Sequence, residues 1–136
     1  MANGWLISNT LFHKQTPLTM FINILLVGAG GAAGSVLRYL CQRSFNTQFP
    51  YGTLLVNILG CLAIGLLWGL FTRHTDEQKR LLLVTGFCGG FTTFSSFTYE
   101  GVQMLMDKRF LPFLCYTVIS VVTGLLATYT GFKLTS

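Results

Sequence analysis

The sequence predicts an all-α membrane protein of four transmembrane helices, the third broken near its middle. Two observations carry this prediction. Only 10% of the 136 residues are charged while 51% are hydrophobic, and mean hydropathy is +0.59; a soluble domain carries about a quarter charged residues. Too few charges exist to clothe a water-soluble surface, so the apolar side chains must face lipid. The charges are also segregated. Four apolar runs, 21–40, 52–71, 81–106 and 110–132, each reach the roughly 20 residues that cross about 30 Å of hydrocarbon. They fill most of residues 20–136, read as one domain, and leave no room for a soluble one. Function therefore lies within the bilayer.

Residues 1–19 hold His13, Lys14 and Pro17 but no long apolar run. They lack the charged start, apolar middle and small-residue cleavage site of a signal peptide. Met20 stands directly before the first span, so residues 1–19 read as a dispensable N-terminal extension.

The first span, 21–40, carries a single charge, Arg38, near its end. There it serves as an anchor that snorkels to water, or as a cation attracting anions to an entrance. The second, 52–71, has no charge but places Asn57 about a third of the way in. The third, 81–106, has one acid, Glu100, and an acid inside a span is a functional candidate by default unless it reaches water. The fourth, 110–132, offers only hydroxyls, of which Ser120 and Thr123 are chosen on polarity alone. Glycines at four-residue spacing (Gly30 and Gly34, Gly65 and Gly69, Gly86 and Gly90) predict close helix packing, because helices in lipid associate through small residues and gain no hydrophobic drive. Four such helices are too few to enclose much of a pathway, so a conduit fits best where two copies meet.

Several classes are excluded. Cys41, Cys61, Cys88 and Cys115 are scattered without CxxC spacing, so they read as small buried apolar side chains and neither as a metal site nor as a disulfide framework. The net charge of +5 is the usual anchoring excess at span ends, and no basic stripe with interleaved aromatics suggests nucleic acid. His13 and His74 lie outside the spans and no nucleophile–base cluster is present, which argues against an enzyme.

Orientation is nearly undetermined. Lys14, Arg73, Lys79, Arg80 and Lys133 fall on one side, and Arg38, Arg43, Lys108 and Arg109 on the other. Topology follows the Lys/Arg bias, and five against four is almost none. Such a chain can insert both ways, and the two orientations can pair as an antiparallel, dual-topology homodimer.

The polar chemistry concentrates at two places. Asn57 is an amide in apolar surroundings, costing roughly 2–7 kcal/mol if unpaired. It reads either as a helix–helix hydrogen bond or as an N–H donor for an anion. The second place is the string from Gly86 to Glu100. Paired glycines followed by Thr92 and Thr93 are poor helix material, so the span is expected to unwind near 89–93. Backbone freed at that depth must be buried or line a cavity, and its carbonyls suit a cation. Beyond the break Phe94 and Phe97 share a helix face, with Ser95, Ser96 and Thr98 beside them. A phenyl edge is positive, so rings and hydroxyls together can surround an anion. A lone FxxF would mean ordinary packing; this setting makes it more.

At these residues the sequence resembles the Fluc/CrcB family of fluoride ion channels. The resemblance rests on Gly30 to Gly34 with Arg38 and Tyr39, on Pro50 to Gly60, and on Gly86 to Phe97, in order, and extends from about Met20 to the C-terminus. It implies an antiparallel homodimer in the cell (inner) membrane with two pores, letting fluoride leave passively and so relieving its toxicity. Asn57 would be the pore amide, Phe94 and Phe97 the aromatic pair on the ion path, and Ser95 and Ser96 nearby hydroxyls. Arg38 would be the vestibule cation and Glu100 a member of the polar track. The carbonyls of Gly89 and Thr92, doubled by two-fold symmetry, would hold a structural sodium at the dimer centre. Ser96 stands where many relatives have Thr, and Phe91 where Leu is usual. A small dual-topology drug exporter is the nearest rival, but the acid it needs on the first helix is absent. A structural membrane subunit is the other, and it gives no reason for Asn57 and the broken span to coexist.

Overall fold

The computed structural model describes residues 16–73 and 76–136. Most of the 1–19 segment, and both histidines, lie outside the described residues. Among the described residues, four helical spans are long and apolar enough to cross a membrane.

Helix α1 (Pro17–Phe45) begins ahead of the expected span because Thr16 caps it, its Oγ1 accepting the Thr19 N–H at 3.3 Å. Pro17 follows in the first turn, where its missing N–H costs nothing. The last residues of the expected extension therefore belong to the first helix. α1 also continues past 40 to Phe45, its last turn carrying Arg43.

A tight corner follows, closed by an Asn46–Pro50 bridge. The next helix, α2 (Tyr51–Arg73), is capped from across this corner: Asn46 Oδ1 accepts the N–H groups of Gly52 (2.8 Å) and Thr53 (3.2 Å). Gly52 is required there, since a Cβ would stand 2.8 Å from Asn46 Oδ1, Cys41 O and Gln42 Cα.

The third span, Glu77–Met106, is assembled from pieces. The short α3 (Glu77–Arg80) is capped by Asp76, whose carboxylate accepts the Lys79 N–H at 3.1 Å and pairs with its ammonium at 3.0 Å. The backbone hydrogen bond from Lys79, then the side-chain one, hold this acid below its ordinary value. A π-helical stretch, Leu81–Cys88, runs into α4 (Gly89–Phe91). Thr92 and Thr93 are extended, and helix resumes as α5 (Phe94–Met106). After a turn with Lys108 at φ 58°, α6 (Phe110–Thr135) completes the chain.

The break is narrower and later than expected: Gly89 and Gly90 are helical, and only the threonines leave the helix. Gly90 and the glycines around it serve contact. A Cβ on Gly90 would overlap the Gly31 carbonyl, and one on Gly34 the Phe87 carbonyl. Gly30 and Gly86 likewise let α1 and the π-helical stretch touch through backbone, which is the small-residue packing expected in lipid. Gly65 and Gly131 do the same between α2 and α6. α1 thus packs mainly on the first half of the third span, and α2 on α6.

Gly34→Val is expected to destabilise the protein by more than the roughly 1–3 kcal/mol of ordinary overpacking, because the obstacle is backbone. Loss of the monodisperse peak in detergent gel filtration would show it; an unchanged peak and melting temperature would refute this account of the contact.

Of the four cysteines, only Cys88 is buried; Cys41 and Cys61 are half-buried and Cys115 is exposed. The expectation of burial assumed that apolar means interior. In a membrane protein the outer face is equally apolar, so an exposed Cys115 meets lipid at little cost.

Candidate functional site

The break at Thr92–Thr93 organises the site. Thr92 turns its hydroxyl back to Cys88 O at 2.9 Å, and its methyl occupies the space that Gly60 leaves on α2. Thr93 leaves the helical ladder, and its backbone groups pass to Asn57. The Thr93 N–H donates to Asn57 Oδ1 at 2.7 Å, and Asn57 Nδ2 donates to Thr93 O at 3.1 Å. One amide replaces both lost partners, and its second N–H remains for another acceptor. The Thr93 hydroxyl caps α5, accepting the Ser96 N–H at 3.1 Å.

The carbonyls ending α4 have different fates. Gly90 O accepts from Arg38 Nε at 3.0 Å and from Ser35 Oγ at 3.4 Å. The guanidinium is thus turned inward, where a cation suits a helix C-terminus. Among the described residues, Gly89 O and Thr92 O receive no donor, since the Thr93 and Ser96 N–H groups that would serve them are bonded elsewhere. These are the two carbonyls singled out for a sodium ion. Unbonded carbonyl oxygens at a membrane helix break are suitable ligands for a hard cation.

α5 carries the aromatic and hydroxyl residues. The Phe94 and Phe97 rings lie 5.7 Å apart, tilted by 37°. Phe97 continues to Tyr116 of α6 at 5.1 Å. Ser95 Oγ and Ser96 Oγ lie 3.2 and 3.1 Å from the Thr93 hydroxyl. Phe94 is 76% exposed on the single chain, and Ser95, Thr98 and Tyr99 are exposed with it. Hydroxyls mixed with rings make a poor surface for hydrocarbon.

Glu100, one turn beyond Phe97, is half-buried, and its carboxylate is turned toward donors from the corner, α2 and α6. Its Oε1 accepts from Thr53 Oγ1 (2.6 Å) and Asn46 Nδ2 (3.1 Å), and its Oε2 from the Tyr116 hydroxyl (2.8 Å). Thr53 and Tyr116 are both 0% exposed. Thr53 in turn accepts from Gln42 Nε2 at 2.9 Å, and Arg38 Nη1 reaches Gln42 Oε1 at 3.5 Å. A polar chain thus runs from the Gly90 carbonyl just before the break, through Arg38, Gln42 and Thr53, to Glu100. It opens onto a cleft of about 420 Å³ between the two loops, lined by Ser96, Glu100 and Arg109 among others.

The structure therefore brings together Asn57, the Gly89–Thr93 backbone, Ser95 and Ser96, and separately Phe97, Glu100 and Tyr116, with α5 joining the two groups. Phe94 stands apart on the open face. Thr123 bonds its own helix at Ile119 O (2.6 Å), whereas Ser120 Oγ is buried and unpartnered. Sequence reasoning missed Gln42, Asn46, Thr53, Thr93 and Tyr116 as a network. Polar residues at span ends look like ordinary boundary residues, and only their convergence on Glu100 marks them.

A four-span bundle with an inward-turned cation, a broken span and a chain of hydrogen-bonded polar side chains defines a multi-pass membrane protein. Residues 25–132 match the family described as CrcB-like protein, Camphor Resistance (CrcB). The chain is 48% identical over 117 residues to the "Fluoride-specific ion channel FluC 2" of Rhodococcus jostii (strain RHA1), covering 85% of this chain and 100% of that one. It is 49% identical over 118 residues to the "Fluoride-specific ion channel FluC" of Chloroflexus aurantiacus, covering 82% and 94%. A relative of the same name from Phocaeicola vulgatus is 46% identical over 114 residues, covering 80% and 94%. The chain belongs to the CrcB family.

Proposed function

We propose that this protein is a fluoride-selective channel through which fluoride leaves the cytoplasm passively, protecting the cell from its toxicity. The observation that carries the reading is the broken third span, pinned by Asn57 and followed by rings and hydroxyls on α5, in a chain nearly half identical to fluoride-specific channels. Fluoride is small and strongly hydrated, so a path must replace its water with close donors. The free N–H of Asn57, the hydroxyls of Ser95 and Ser96, and the positive edges of Phe94 and Phe97 supply them. Arg38 raises the local anion concentration, while Glu100 is part of the polar track with its charge engaged by three donors.

The working unit is an antiparallel homodimer in the cell (inner) membrane. The exposed, mixed polar and aromatic face of α5 supports this, since a second copy covers hydroxyls better than lipid does. The nearly balanced Lys/Arg tally supports insertion in both orientations. The carbonyls of Gly89 and Thr92 would hold the structural sodium, which supplies positive charge to otherwise unbonded oxygens and fixes the break. A drug-exporter reading has no counterpart, because α1 contains no acid.

The test is fluoride efflux from proteoliposomes of purified protein, read with a fluoride electrode, with valinomycin for charge balance and chloride as control. Rapid fluoride release without chloride leak is expected. Intact dimers that release no fluoride would overturn the proposal.

A further inference from the structure

Asn46 does two separate jobs with the two ends of one amide. Its Oδ1 caps α2 through the N–H groups of Gly52 and Thr53. Its Nδ2 donates to Glu100 Oε1 at 3.1 Å and to Thr53 Oγ1 at 3.3 Å. The residue sits at the end of α1, fifty-odd positions from Glu100 in sequence, and its backbone bridges Pro50 across the corner. Phe49 of the same corner packs edge-on against Tyr116 at 5.5 Å, and Arg109 Nη1 ties the corner down through Gln48 O at 3.0 Å. Two of the three donors on Glu100, Asn46 and Tyr116, are therefore held by this one corner, and the third, Thr53, is capped by it.

We infer that Asn46 is a positioning residue for the ion path: it holds the Glu100 carboxylate against α2 and α6 and lowers its repulsion of a passing anion. The inference rests on the channel reading and deepens it. A carboxylate beside an anion path is an obstacle unless donors draw off its charge and fix its direction. Thr53 and Tyr116 approach from buried positions, whereas Asn46 and Glu100 both line the open cleft. Without the Asn46 N–H, Oε1 keeps only the Thr53 hydroxyl among its donors from the described residues. The negative charge then lies nearer the ion, and the barrier rises. Capping alone would be an ordinary structural role, so the two ends of the amide must be tested apart.

Asn46→Asp does this. It keeps the acceptor that caps α2, where negative charge at a helix N-terminus is favourable, but it replaces the donor to Glu100 with a second carboxylate. Fluoride efflux from liposomes, normalised to folded dimer, is expected to fall by about tenfold or more, corresponding to about 1.4 kcal/mol on the barrier. Adding Glu100→Gln restores a donor–acceptor pair with its polarity reversed. In the E100Q background the Asn46→Asp change should then cost little, a coupling that independent sites would lack. Asn46→Ser is the second variant: its hydroxyl is one bond too short for either set of partners, so it removes cap and donor together, and it should be less stable than N46D and conduct slowly. Wild-type flux in folded N46D or N46S, or an equal loss from N46D in both backgrounds, would overturn the inference alone. Wild-type protein that conducts no fluoride would overturn the channel reading, and this inference with it.

Discussion

Phe94→Ile is expected to leave the fold and the proposed dimer intact while reducing fluoride flux by more than about tenfold, or about 1.4 kcal/mol on the barrier. The expected split follows from where the ring sits. Phe94 is 76% exposed on the single chain, and its described ring contact is with Phe97. Replacing it with another apolar side chain therefore removes little packing within the protomer. Isoleucine keeps the bulk and apolarity but has no positive ring edge, so an anion loses the one property that an aromatic supplies. Liposome efflux with circular dichroism and gel filtration separates the two effects. Near-normal flux from a folded variant would eliminate the ring-edge role; loss of the folded dimer would reassign Phe94 to the interface.

Asn57 is the second position of large effect, and there stability and transport both suffer. Asn57→Ala strips both partners from the backbone of Thr93, a buried residue only 8% exposed. Each unmade partner costs about 1–3 kcal/mol. The alanine variant is expected to melt well below the wild type and to lose flux. Because both readings of Asn57 predict some loss, Asn57→Asp is the sharper variant. It keeps the acceptor for the Thr93 N–H but removes both amide N–H donors and adds negative charge beside the path. Set against the Thr93 carbonyl, that charge also costs stability, and the flux of the folded fraction should fall at least as far as that of alanine. An aspartate variant that conducts normally would assign Asn57 to bracing the break and nothing more.

Much of this arrangement was legible from residues alone, for identifiable reasons. Twenty-residue runs without charge have one stable home, so the spans emerged from the charge pattern. Asn57 and Glu100 stood out because polar groups in hydrocarbon are costly. The break was foreseen near 89–93, but not its confinement to Thr92 and Thr93. Gly89 and Gly90 look like helix breakers on propensity, yet the backbone contact of Gly90 with Gly31 of α1 turns a weak local preference into a packing requirement. Propensity differences of about 1 kcal/mol are readily overridden by such contacts. Threonine, restricted by its branched side chain and able to bond Cys88 O or cap α5, marks the actual break.

Composition and pattern by themselves determined the membrane location, the number of spans, the glycine-mediated packing and the presence of a polar interruption in the third span. Those properties depend on the solvation of each segment taken alone. Only the tertiary structure decided that the Asn57 amide closes the break, that Arg38 turns inward to Gly90, and that Asn46, Thr53 and Tyr116 converge on Glu100. A hydrogen bond joins groups a few ångströms apart, and which groups come that close depends on how four helices are placed around one another, a relation that no single stretch of sequence contains.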